Sequence, residues 1–291
     1  TMDIYAAVLP GCPRLGAKHI RELLEYFDTP EDLWKASEED IHGAKLLPPK
    51  TEAAFFAYRR NVEPERLGEE LFQLHIRACT WEDSDYPPLL RDTANPPAVL
   101  FYKGAVPEWE KTIAIVGSRK ATAYGIETAG QMAKGLAQAG VTVVSGGARG
   151  IDSASHRGAL QGQGPTVVVL ACGLDRVYPP ENRELFQQVV AAGGTLISEY
   201  PPGTPPLGRQ FPARNRIIAG MSRGTLVVEA AERSGSLITS DFALEEGRDV
   251  FSIPGSIWLP SCKGTNQLIR NGASCCTSVE DILSEYGWNE E

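Results

Sequence analysis

Beyond residue 112, short apolar runs alternate with longer stretches whose apolar positions recur every three or four residues. The runs fall at 113–116, 141–145, 166–170, 195–198, 225–229 and 249–253. Four or five consecutive apolar residues, bounded by glycine or polar turns, predict strands buried on both faces, and the intervening pattern predicts helices between most of them. A chain that alternates in this way builds a parallel sheet covered on both sides. The last segment, SVEDILSEYGW, predicts a helix opened by a serine cap and followed by an acidic tail.

The first 65 residues read differently. LGAKHIRELLEYF puts Ile20, Leu23, Leu24 and Phe27 on one helical stripe, Thr29 with Asp32 frames the start of PEDLWKAS, and TEAAFFAYRR follows a stop at Pro48 and Pro49. The turn PGCPRLGAKHI is similar to a helix-hairpin-helix, with Lys18 and Arg21 as its cations, but the second turn, GAKLLPPKT, has prolines where glycines would stand. A structural or docking role therefore outweighs DNA contact for this part. Between residues 63 and 70 the pattern changes. FQLHIRACTW predicts a strand, and SDYPPLLRDTANPPAVLFYKG predicts an irregular extended lead-in to a short strand at 98–102. The expected division is a helical domain over 1–65 and an α/β domain over 66–291, the latter an extended Rossmann-like parallel sheet covered by helices.

Composition narrows the setting. A chain of 291 residues with 42% apolar and 22% charged residues is an ordinary globular protein, with no apolar run of membrane-spanning length and no signal-peptide pattern. A cytoplasmic protein without membrane contact is expected. Thr1 ahead of Met2 reads as a residue left from expression. The six cysteines have no metal-ligand spacing, and vicinal Cys275 and Cys276 read as two plain thiols near a helix start, so neither metal nor disulfide is expected. The net charge of −9 argues against a protein basic all over, but binding to an anion depends on where the cations cluster.

Candidate chemistry lies at the strand ends. IAIVGSRKATAYG is a strand, a turn and a helix start, the place where an open parallel sheet seats phosphate, and Arg119 and Lys120 stand on the turn beside Gly117 and Ser118. A dinucleotide fingerprint needs G-x-G-x-x-G and an acid about twenty residues on. Here the next glycine is Gly125, and the second strand ends in Ser145, Gly146, Gly147, Ala148 and Arg149. A nicotinamide or flavin is thus disfavoured, and no cofactor is expected.

Other strand ends supply groups of the same kind. Asp152 reads as a helix cap and His156 as structural; Arg176, Tyr178, Arg183 and Phe186 follow the third strand, with Tyr178 and Phe186 able to offer stacking faces or simply to pack. Residues 200–224 hold Arg209, Arg214, Arg216 and Arg223 and no acid, a local reversal of charge that would bring Arg214, Asn215 and Arg216 to the binding edge. Ser234, Gly235 and Ser236 precede a further helix and form another phosphate seat. Glu229 is the one carboxylate placed for catalysis, and no partner acid is evident.

Together IAIVGSRKATAYG, VVSGGARGIDSASHRGAL, CGLDRVYPPENREL, SEYPPGTPP, FPARNRIIAGMS, LVVEAAERSGSLITSDFALEEGRDVFSIPG and GTNQLIRNGA closely resemble the DNA processing protein A family, also called Smf, over roughly residues 70–275. The resemblance implies a non-catalytic protein that binds single-stranded DNA, dimerises, and helps load the RecA recombinase onto DNA entering in natural transformation. It also implies a sterile-alpha-motif-like N-terminal domain. Arg119 matches the arginine of the family's GSR turn and should contact phosphate. Where the family often has lysine in its YP-K-x-N loop this chain has Pro180, leaving Arg183 to supply the charge. Asn266, Gln267, Leu268 and Ile269 stand where the family self-associates. Many members carry a C-terminal winged helix, and none is expected within residues 1–291. The competing reading is a Rossmann-like nucleotide phosphoribohydrolase, but VVEAAERSGSLIT lacks the PGGxGTxxE pattern of such enzymes. A third is a scaffold whose basic loops hold an acidic partner.

Overall fold

The computed structural model describes residues 2–290; Thr1 and Glu291 lie outside the described residues. Nine strands form one sheet: β1 Arg77–Thr80, β2 Val99–Gly104, β3 Thr112–Val116, β4 Thr142–Ser145, β5 Thr166–Val169, β6 Thr195–Ser198, β7 Gly224–Val227, β8 Asp249–Ser252 and β9 Ser274–Cys275. Their order is β1-β2-β6-β5-β4-β3-β7-β8-β9. Strands β3 to β9 run parallel, while β1 and β2 close one side antiparallel, Phe101 of β2 opposite Ser198 of β6.

The α/β sheet expected from the apolar runs is therefore present, and β3 shows why those runs are continuous. Ile113 and Ile115 enter one core with Met132, Leu136 and Leu226; Ala114 and Val116 enter the other with Val144, Val168 and Ile217. Side chains alternate between faces, so a strand sandwiched by helices needs apolar residues at every position. Each of the larger of these side chains contributes about 1.5–3 kcal/mol on full burial.

The N-terminal part is helical, with segments at Ala17–Tyr26, Pro30–Lys35, Glu38–Ala44, Pro49–Asn61 and Pro64–Gln73. Its apolar stripe, including Leu9, Leu23, Leu33 and Phe55, is continuous with the core around Val99 and Phe101. Pro48 and Pro49 open a helix instead of closing one: Pro48 is the N-cap and Pro49 the first helical residue, where a missing N–H costs nothing. Likewise Pro64 starts the helix Pro64–Gln73, which runs through the stretch read as the start of a strand. Its Leu71 is fully buried, and β1 begins only at Arg77. Arg21 donates to the Pro96 carbonyl and, at 3.0 Å, to Asn95 Oδ1, tying the helical part to the lead-in of the sheet. Among the described residues no helix is long and apolar enough to cross a membrane.

The strand order reverses beside β3: successive strands step from β3 to β6 on one side, and β7 then returns to pair with β3 on the other. β3 and β7 stay paired to their carboxyl ends, and the connections that leave them run to opposite sides, leaving the crevice in which open α/β sheets bind ligands.

Candidate nucleic-acid interface

The helix Ala123–Gln138 follows β3, and its N-terminus is the seat at which a dinucleotide phosphate would rest. That seat is filled from within. Glu229, 1% exposed and just past β7, accepts from the Thr122 amide at 2.9 Å and from the Thr122 hydroxyl at 2.5 Å. The Thr122 hydroxyl in turn accepts from the Gly125 amide at 3.1 Å, as the helix N-cap. A Cβ at position 125 would overlap the Glu229 carboxylate, so only glycine admits this contact. Both carboxylate oxygens are thus committed to the helix start, and Glu229, read from the sequence as the one carboxylate open to catalysis, is an internal anion that meets the positive helix end. The phosphate seat expected at this turn is closed for the same reason.

An open seat lies beside it. A cavity of about 530 Å³ is lined by Gly117, Ser118, Arg119, Lys120, Arg214, Asn215, Ser234 and Ser236 together with Asp152 and Phe211. The helix Gly235–Glu245 points its N-terminus into this cavity, with Ser234 as its cap, bonded to Ser236 Oγ at 2.7 Å. A narrow crevice continues from it, sharing Arg119, Phe211 and Arg214 and adding Gly146, Arg149 and Tyr178. Most of the residues singled out in the sequence are therefore brought to one edge.

Arg214 lies at the junction, 5% exposed. Nη1 donates to the carbonyls of Gly146 and Val169, both at 2.8 Å, and Nε donates to Asn215 Oδ1 at 3.0 Å. Three of the five guanidinium hydrogens are committed, leaving Nη2 without a protein partner among the described residues. Gly146 lets the guanidinium lie flat on the backbone, where a Cβ would stand 2.9 Å from Cζ. Burial pushes the neighbouring Asp152 carboxyl up, opposed by the Arg214 charge and by the Ala148 amide. Asp152 lies inside the helix Ile151–Gln161 whose N-cap is Gly150, so it holds the preceding turn instead of capping.

Phe211, which the sequence did not single out, is the centre of the junction. Arg119 lies over its ring with Cζ 5.3 Å from the centroid, Arg214 lies at 5.5 Å, and Tyr178 packs against it at 5.6 Å between centroids. The signal available was its place three residues before Arg214, one helical turn away. Phe186, offered as a stacking face, is 3% exposed and packs beneath Gly147, so it is core.

Other expected residues stand elsewhere. Gly147 is buried behind the crevice, its amide donating to His156 Nε2 at 3.2 Å and its carbonyl accepting from Asn182 at 2.8 Å. Arg183, exposed at the start of the helix Arg183–Ala191, lines neither cavity. Arg216 is not without a counter-ion: it makes a bidentate pair with Glu199, at 2.9 and 3.0 Å. Two residues along a helix is about 200° of rotation, so when Arg214 faces the cleft Arg216 faces away. Arg223 precedes β7 at the opposite edge of the sheet and lies over Tyr286, and Arg209 lines a groove against the helical part. The charge reversal of residues 200–224 is thus divided among four places. Lys18 pairs with Glu22 at 3.9 Å. Asn266 braces the loop at Gly255, accepting from its amide and donating to its carbonyl, both at 3.1 Å; Gln267 is exposed, and Leu268 and Ile269 are half-buried. Among the described residues no group of His, Cys, Asp and Glu is placed to hold a metal, and the six cysteines are free, Cys275 exposed and Cys276 buried.

Fold and cleft define a class: a Rossmann-like protein whose switch point carries a basic, aromatic cleft where a dinucleotide loop would otherwise be. More particularly, the chain belongs to the DNA recombination-mediator protein A family, whose family model matches residues 77–287. The DNA processing protein DprA of Streptococcus pneumoniae is 40% identical over 286 residues, 98% of this chain and 97% of that protein. Its X-ray structure superposes with a TM-score of 0.85 over 98% of both chains. Protein Smf of a Synechocystis species is 39% identical over 278 residues, 94% of this chain and 70% of that protein. DNA processing protein A of Helicobacter pylori, described for its single-stranded DNA binding mode, superposes with a TM-score of 0.65 at 28% identity, covering 73% of this chain and 96% of that one.

Two outcomes test the local chemistry. His156 is fully buried, accepts from Gly147 and faces Thr166 Oγ1 at 2.9 Å, and burial pushes its pKa down to about 3. Because Thr166 donates its own proton to the Val143 carbonyl, the imidazole is neutral with its proton on Nδ1. A histidine depressed in the folded state adds stability above its unfolded value near 6.5 and loses it as the pH falls toward 3. Urea unfolding should therefore show about 2 kcal/mol less stability from this group at pH 5 than at pH 7, a difference absent in His156→Gln. Glu229→Gln should lower stability by about 2 kcal/mol, because hydrogen bonds to a charged acceptor at the helix start are weakened. Equal midpoints for this variant and its parent would contradict the capping role.

Proposed function

We propose that this chain is a non-catalytic single-stranded DNA-binding protein that protects incoming DNA and helps load the RecA recombinase during natural transformation. The observation that carries the DNA reading is the junction of Arg119, Phe211 and Arg214, an aromatic ring flanked by two guanidinium groups between two contiguous cavities. Guanidinium planes layered on an aromatic ring form a stack that a base of any kind can join, and the same cations take the phosphates. A duplex keeps its bases stacked inside and has no face to offer Phe211, whereas a single strand does. The Helicobacter pylori relative, described for its single-stranded DNA binding mode, supports the same partner. Sequence preference is weak on this reading, since stacking and phosphate contact do not read base edges.

The path is more compact than the strand ends suggested. It runs through Gly117, Ser118, Arg119, Lys120, Asn215, Ser234 and Ser236, crosses the uncommitted Nη2 of Arg214 and reaches Arg149 past Gly146. The helical part, which the reading takes as a sterile-alpha-motif-like docking module, lines neither cavity of this path, and its Arg21 is engaged within the protein. The reading includes a homodimer through residues 266–269. Beside the helix Pro260–Arg270 that carries them, Ile257 and Trp258 are 70% and 84% exposed, an apolar loop held by the Asn266 brace. The RecA step rests on family membership alone.

Fluorescence-anisotropy titration of a labelled oligothymidylate across salt concentrations tests the DNA reading. Arg119→Ala should weaken binding and make the salt slope shallower by about 0.7, the share of one phosphate on a single strand. Phe211→Ala should cost about 1–3 kcal/mol and leave the slope unchanged, because stacking releases no counter-ion. Parental affinity in both variants would exclude this edge as the site.

A further inference from the structure

Arg149 differs from the other cations of the rim. Arg119 and Lys120 are exposed and have no carboxylate partner among the described residues, whereas Arg149 is held by Glu181 in a bidentate pair, Nε to Oε2 at 2.8 Å and Nη2 to Oε1 at 3.0 Å. Both side chains are about half exposed. Glu181 is not a floating surface acid. It sits in a one-turn helix, Pro180–Asn182, and the next residue, Asn182, is buried and donates at 2.8 Å to both the Gly147 carbonyl and Ser153 Oγ. The backbone that carries Glu181 is thus anchored to the same turn that carries Arg149. The hydrogen bonds from Arg149 also hold the Glu181 carboxyl below the usual range.

The position is strategic. Arg149 lines the crevice that contains Phe211, and it also lines a second furrow of about 440 Å³ between the helices Ala123–Gln138 and Ile151–Gln161, together with Glu181 and Arg157. A polyanion that leaves the crevice toward this furrow meets Arg149 with its guanidinium fork already occupied.

We propose that Glu181 is a built-in competitor for phosphate: its carboxylate occupies the fork of Arg149, and a DNA phosphate must displace it to continue from the crevice into the furrow. The inference rests on the single-strand reading above and deepens it. A carboxylate and a phosphate oxygen pair present the same acceptor geometry to a guanidinium, so the exchange needs no rearrangement of Arg149. The consequence is a lowered affinity at this position and the absence of one counter-ion release, since the pair is neutral before DNA arrives.

The test uses the full chain and a labelled oligothymidylate long enough to span both cavities. Glu181→Gln should bind about threefold more tightly, the scale of an exposed ion pair, with a salt slope steeper by about 0.7. Glu184→Gln, which removes the same charge one helical turn away, should gain less. In an Arg149→Ala background the gain from Glu181→Gln should shrink to that of Glu184→Gln. Unchanged or weaker binding by Glu181→Gln, or an equal gain with and without Arg149, overturns the proposal. Arg119→Ala run alongside separates the two levels: if it weakens binding while Glu181→Gln does not tighten it, only the competitor falls; if it is silent, the strand path itself is wrong.

Discussion

The contact between Glu229 and Thr122 governs what the switch point of this sheet can do. A parallel sheet presents a positive helix end where its strand order reverses, and in dinucleotide proteins the ligand supplies the opposing charge. Here the protein supplies it, through a buried carboxylate from the end of β7 that fits only because residue 125 lacks a side chain. With that seat closed, the open cavity of this edge lies to its side, at the next helix start, Ser234, and below the side chains that overlook it.

Around that displacement the site is assembled from groups of two kinds. Buried polar residues set the backbone: Arg214 ties the ends of β4 and β5 together through Gly146 and Val169, and His156 and Asn182 hold the Gly147 turn from below. Around that frame stand Arg119 and Lys120, exposed on the first turn, and Phe211, half-buried between the two cavities. The Arg214 guanidinium is structural through three hydrogens, and its Nη2 has no protein partner among the described residues. Its removal would disturb the sheet edge as well as any phosphate contact, which is why Arg119, and not Arg214, isolates the binding term.

Several residues looked alike in sequence and proved different in place. Arg214, Arg216 and Arg223 belong to one basic stretch, yet one enters the cleft, one pairs with Glu199 and one sits at the opposite edge over Tyr286. Charge counting along a chain sees their common sign but not the helical rotation that separates positions two apart, nor the direction of the strand that follows. Tyr178 and Phe186 were equal candidates for stacking; the first reaches the crevice and the second fills the core, because the inward face of the helix Arg183–Ala191 includes residue 186.

The sequence by itself determined the α/β sheet, since strands buried on both faces must be apolar at every position, and that pattern has no other economical reading. It also determined the family, through motifs in register, and the chemical character of the binding edge, through glycines and cations at successive strand ends. Tertiary structure decided which of those groups meet. Glu229 lies more than a hundred residues from Thr122, Glu199 pairs with an arginine two turns into another element, and Phe211 gains its place only when three strand ends converge on it. Such contacts depend on strand order and helix rotation, which local periodicity does not encode. IAIVGSRKATAYG is accordingly divided in two: its cations line the open cavity, and its helix start is already satisfied.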